Sequence, residues 1–127
     1  MIRVNGLKQA QYDLGTAESL LTTGRNPPVI FFCHLAIEKT LKGLYAEKFD
    51  ESPEKTHSLV YLVELLELEL PQNLMEALFV INRIGITGRY PHNLQKSLEQ
   101  YTPAKTEKII FQTKEILTWL MQRSSKR

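Results

Sequence analysis

Apolar positions recur at steps of three and four along most of the chain. In the first segment Leu7, Ala10, Leu14, Ala17 and Leu21 form one continuous helical stripe, with Lys8, Gln11 and Glu18 on the opposite face. Residues 22–26 end that helix, and Gly24 is placed to cap its C-terminus. Asn26-Pro27-Pro28 restarts the chain as a second helix, because proline loses nothing in a first turn where its N–H has no partner. From Val29 to about Lys48 the apolar residues leave the single stripe. Ile30, Ile37, Leu41 and Leu44 take one side, while Phe31, Leu35, Phe32 and Ala36 spread round another. A helix apolar over most of its girth is surrounded by neighbours, so this one is expected at the centre of the core.

Residues 49–56 read as a polar loop. Leu59, Leu62, Val63 and Leu66 then mark a short third helix, and Pro71 opens a fourth carrying Leu74, Ala77, Leu78 and Ile81. Gly85 and Gly88 break that pattern, which makes 85–100 the least regular stretch. Thr102-Pro103 repeats the cap-then-proline signal, with Glu107 in the early turns and Ile109, Thr113, Ile116, Leu117 and Leu120 as the last stripe. The basic tail, residues 124–127, is expected to fray. No segment alternates with period two, and there is no internal repeat. The pattern predicts an all-α protein, an antiparallel up-and-down bundle of four to five helices forming one domain over residues 1–127.

Composition narrows the function classes. The chain has 127 residues, 43% hydrophobic and 24% charged, enough to bury a core without disulfides or a structural metal. Its 16 Lys and Arg against 14 Asp and Glu leave a net charge of +2, too small for a protein that coats DNA. The one cysteine, Cys33, excludes an internal disulfide and every multi-cysteine zinc motif, and reads as a small core residue. No apolar run approaches the ~18–20 residues of a membrane span, and Met1 to Ala10 lacks the apolar centre of a signal peptide. A cytoplasmic location is expected, with no membrane, metal or cofactor.

Three groups could carry chemistry. His34, Glu38 and Lys42 fall at i, i+4 and i+8 on the central helix, with Lys39 about a third of a turn away. They form a polar strip that could bind phosphate or a partner. Spacing alone favours the plainer alternative, a solvated strip with an ordinary Glu38–Lys42 ion pair. Lys55-Thr56-His57-Ser58 opens the short helix, where free N–H groups favour an anion. The plainer alternative has Thr56 capping the helix and His57 on the surface or satisfying a carbonyl. Arg89-Tyr90-Pro91-His92 could present donors to phosphate and a ring to a base, or form a turn in which Tyr90 packs down and Arg89 pairs with a carboxylate. Walker-type glycine loops, Gly-x-Ser-x-Gly and His-Glu-x-x-His are absent.

As an ordered set these elements resemble the HEPN family, the domain named for higher eukaryotes and prokaryotes nucleotide-binding. The matching residues are Asp13-Leu14-Gly15-Thr16-Ala17, then Ala36-Ile37-Glu38-Lys39-Thr40-Leu41-Lys42, then Thr56-His57-Ser58-Leu59, and last Arg89-Tyr90-Pro91. The resemblance implies a helical bundle that pairs as a homodimer and carries a nucleotide- or RNA-binding groove lined by Lys39, Lys42, His57, Arg89 and Tyr90. Ribonuclease members, mostly toxins, place four to six residues between an arginine and a histidine. Here only two separate Arg89 from His92 and eight separate Arg83 from His92, so a catalytic role for Arg89 and His92 belongs only to an alternative ribonuclease reading. The Arg-Tyr-Pro type resembles small stand-alone members that accompany a minimal nucleotidyltransferase, often as a toxin–antitoxin pair. The expected function is a nucleotide-binding or partner-binding module without catalysis of its own. The remaining alternative is a helical dimerisation domain in which Glu38 pairs structurally with Arg89 or Lys42.

Overall fold

A computed structural model describes residues 2–22, 26–53, 55–87 and 102–124. Among them lie five helices and no strand: α1 (Ile2–Thr22), α2 (Asn26–Phe49), α3 (Leu59–Leu65), α4 (Gln72–Thr87) and α5 (Pro103–Met121). The all-α bundle expected from the periodicity is what the chain forms.

Local chemistry sets the helix ends. Asn26-Pro27-Pro28 forms the first turn of α2. At its other end Asp50 takes a left-handed conformation (φ 52°) and donates its N–H to the Ala46 carbonyl at 2.9 Å. A short polar side chain tolerates that conformation better than most. α3 ends in a Schellman turn. Glu67, at φ 54°, donates to the Glu64 carbonyl, and Leu68 reaches back to Val63, both at 3.1 Å. Thr102 caps α5 by accepting the Lys105 N–H at 3.3 Å, with Pro103 in the first turn, as its sequence signal predicts.

Two expectations change. α4 does not stop at Gly85 but runs to Thr87. One glycine costs a helix only about 1 kcal/mol, and α4 is anchored by buried Leu74, Ala77, Leu78 and Ile81. The tail is tied down at its start, since Ser124 is buried and its hydroxyl donates to Glu47 Oε2 at 2.6 Å.

The core is organised round α2, which touches each of the other four helices. Val29, Ile30, Cys33, His34, Ala36, Ile37 and Leu41 are all fully buried along its length. Leu59 and Leu62 of α3, Leu78 and Ile81 of α4, and Ile116 and Leu120 of α5 close over it. The expectation of a central second helix is therefore met, and for the reason its apolar girth suggested. No helix among the described residues is long and apolar enough to cross a membrane.

Cys33 belongs to this core. Burial pushes its thiol up to about 11, opposed in part by the Thr113 hydroxyl and assisted by the negative charge of Glu18. The native thiol is therefore expected to resist alkylation by iodoacetamide at neutral pH and to react fully once the chain is unfolded. Its ionisation also sets a sign. The unfolded thiol ionises from about 9 and the folded one only from about 11. Stability is thus unaffected by Cys33 below pH 9 and falls between 9 and 11, by about 1.4 kcal/mol per pH unit. Urea melts of wild type and Cys33→Ala across that range should diverge by this amount.

Candidate functional site

Glu38 is the centre of the polar cluster. It sits in the middle of α2 with its side chain 7% exposed, and two donors converge on it. Lys42, one turn along α2, donates to Oε2 at 3.1 Å. His57 lies in the loop before α3 and places Nδ1 at 3.1 Å from Oε1 and 3.2 Å from Oε2. His34, one turn back, has Nδ1 3.6 Å from Oε1, beyond hydrogen-bonding distance.

The loop holding His57 is fixed by its own hydrogen bonds. Ser58 caps α3 by accepting the Tyr61 N–H at 3.2 Å, and Thr56 accepts the Ser58 N–H at 3.1 Å. The cap is therefore Ser58 and not Thr56, the residue expected from sequence. The Leu59 N–H, one of those a helix start leaves without an internal partner, is taken by Asn82 Oδ1 of α4 at 2.7 Å. Asn82 gives no sequence signal, because its partner lies 23 residues away. These contacts pin the start of α3 between α2 and α4 and so fix where His57 emerges.

A carboxylate only accepts hydrogen bonds. Nδ1 of His57 must therefore be the donor to Glu38, which directs Nε2 away from it. A neutral His57 offers a lone pair at Nε2, and a protonated one offers an N–H. The side chain is 61% exposed while the carboxylate orienting it is buried. Such a histidine has a fixed tautomer and a fixed aim, as when a carboxylate backs a catalytic or metal-bound imidazole. It lies at the surface, as one sequence alternative has it, but its partner is a carboxylate and not a carbonyl.

The strip is not solvated, contrary to one expectation. His34 is fully buried, Glu38 nearly so, and only the Lys42 side chain, 24% exposed, reaches the edge. The anticipated Glu38–Lys42 ion pair is present. Lys39 serves a different partner. Its ammonium lies 2.7 Å from Asp13 Oδ2 of α1, and the Asp13 side chain is 7% exposed. Lys39 thus neutralises a carboxylate held in the α1–α2 interface, a pairing that spacing does not reveal although both residues sit in the matched motifs. Arg89, Tyr90 and His92 lie outside the described residues. No group of three His, Cys, Asp or Glu among the described residues is arranged to hold a metal ion.

The model of the HEPN domain matches residues 5–124. The chain belongs to the HEPN family. Two solved structures are similar to this HEPN protein. TT1696 from Thermus thermophilus is 26% identical with a TM-score of 0.79, covering 96% of this chain and 98% of its own. ST0689, an archaeal HEPN homologue, is 23% identical with a TM-score of 0.77, covering 95% and 96%. No curated protein matches the chain. The motif residues of the HEPN resemblance acquire physical roles here. Asp13, Glu38, Lys39, Lys42 and His57 form two charge groups on α2, one tying α1 to it and the other tying down the loop before α3.

Proposed function

We propose that this HEPN protein is a nucleotide-binding module, without catalysis of its own, that acts as a homodimer beside a minimal nucleotidyltransferase, in the manner of a toxin–antitoxin pair. The observation that carries the binding reading is His57, exposed to solvent yet aimed by a buried carboxylate. In this reading Lys42 and Arg89 meet phosphate oxygens, His57 contributes Nε2 and Tyr90 stacks on the base. Lys39 contributes little, because its ammonium is already paired with Asp13. The resemblance of Arg89-Tyr90-Pro91 to small stand-alone members supports the partner, and the two-residue gap from Arg89 to His92 argues against the ribonuclease alternative.

A second reading has its own support. Lys42 is already neutralised by Glu38, so the cluster could serve only to fasten the loop before α3 to α2. Titration calorimetry with ATP at fixed salt separates the two. Wild type is expected to bind at micromolar Kd, with His57→Ala and Arg89→Ala each at least tenfold weaker. Because His57 is exposed, its alanine variant should lose no more than about 1 kcal/mol of stability. No binding by wild type, or binding by His57→Ala equal to wild type with a lowered melting temperature, would favour the structural reading.

A further inference from the structure

The last turns of α2, the turn after α3 and the end of α5 meet round a cleft of about 340 Å³ that shares no residue with the Glu38–His57 cluster. Leu44, Leu66 and Leu68 supply its apolar lining, and Glu47, Lys48 and Arg123 its charges. Both cations are held by an aromatic ring and a backbone carbonyl. Arg123 lies on the Trp119 ring, 3.5 Å from its centroid, and donates Nη1 to the Trp119 carbonyl at 3.1 Å and to Gln122 Oε1 at 3.4 Å. Lys48 stands 5.4 Å from the Phe49 ring centroid and donates to the Leu66 carbonyl at 3.1 Å. Glu67 lies 4.0 Å from Lys48, but both side chains are exposed, and such a pair contributes little. Basic side chains commonly cap helix carbonyls, which accounts for one bond from each cation. It does not account for two such cations lining one apolar cleft with donors to spare: Nε and Nη2 of Arg123 and at least one N–H of Lys48 take no partner among the described residues. Glu47 accepts the Ser124 hydroxyl at 2.6 Å. Against Lys48 and Arg123 it leaves the lining with one positive charge.

We propose that this cleft binds a small aliphatic monocarboxylate, its chain on Leu44, Leu66 and Leu68 and its carboxylate on Lys48 and Arg123. A carboxylate presents the planar pair of acceptors that the guanidinium fork matches. Its single negative charge balances the lining, whereas a polyphosphate would carry an excess past Glu47. The volume lies near the low end of the ~300–1,000 Å³ typical of ligand sites, room for one short chain and not for a nucleotide. Ring and carbonyl hold Arg123 and Lys48 in place beforehand, so binding costs little side-chain freedom. The proposal goes beyond the nucleotide-binding reading and uses none of its residues.

Its test is a two-dimensional NMR titration of the full-length protein with hexanoate, butanoate, hexanol and inorganic phosphate. Hexanoate should saturate with a submillimolar Kd and shift the amide signals of Leu66, Leu68 and Arg123. Butanoate, shorter by two methylenes, should bind roughly tenfold more weakly, at up to about fourfold per buried methylene. Arg123→Gln and Lys48→Gln should each weaken hexanoate at least about fivefold. Both positions are exposed, and the spectra themselves report whether each variant keeps the fold. Failure of hexanoate to saturate, or equal binding by wild type and both variants, would overturn the site. Hexanol as tight as hexanoate would remove the role of the carboxylate, and phosphate as tight as hexanoate would remove that of the apolar lining; either result defeats the proposal. So would shifts centred on His57 in place of the cleft. Calorimetry with ATP reads the nucleotide-binding proposal separately in every case, and Arg123→Gln should leave that affinity unchanged.

Discussion

Replacing Ile37 by alanine is expected to cost about 3–4 kcal/mol, within the ~2–5 kcal/mol range for emptying a fully buried aliphatic position. The melting temperature should fall by about 10–15 °C for a domain of this size. Ile37 is fully buried near the middle of α2, the helix in contact with all four others. Packing on every side leaves little freedom to collapse into the hole, so the cavity penalty adds to the lost burial. An exposed apolar residue of the same chain gives the contrast. Phe111, 62% exposed on α5, should lose less than about 1 kcal/mol on truncation. Thermal melts of Ile37→Ala and Phe111→Ala decide the matter. Equal shifts would mean that α2 is not the centre of the core.

The second large effect is electrostatic and asymmetric. Lys39→Met should destabilise the protein by about 2–4 kcal/mol, somewhat less than the ~3–5 kcal/mol of breaking a fully buried pair, because the Lys39 side chain is 31% exposed. What remains is a buried Asp13 carboxylate without its cation, an expensive group to keep charged in the interface between α1 and α2. Asp13→Asn should cost much less, since the Lys39 ammonium left behind can turn outward to water. Combining the two should recover stability relative to Lys39→Met alone. Urea denaturation of the three variants gives the cycle directly. A Lys39→Met protein as stable as wild type would show that water reaches Asp13.

The physical basis of the Asp13 and Glu38 contacts explains what is legible in the sequence and what is not. A hydrophobic period is local, so helix identity, the central place of α2 and the cap at Thr102 can be read from the chain. A Glu-Lys pair at i, i+4 is also local, and Glu38–Lys42 is anticipated on that ground. Burial of a polar residue is not local. His34, Glu38 and Asp13 look like surface positions by residue type, and the packing of other helices over their faces puts them inside. The same holds for Ser124, expected in a frayed tail but bonded to Glu47, 77 residues earlier. Among the candidate binding residues, the sequence places Lys39 and Lys42 on one helix as though they act together. The structure divides them between Asp13 and Glu38, because three positions along a helix turn about 300° and so set the two lysines about 60° apart, Lys39 toward α1 and Lys42 toward Glu38.

Spacing along the chain is enough to define the helices, most of their ends, the core face of α2 and, through the ordered motifs, membership of the HEPN family. Each of these rests on residues that are neighbours in sequence. Which charges are buried, that Ser58 and Asn82 together anchor the start of α3, and that a carboxylate on α2 aims His57 follow only from the packed bundle. Those depend on helices distant in sequence meeting in space. Desolvation then gives a residue such as Glu38 a role that its type and its neighbours in the chain do not carry.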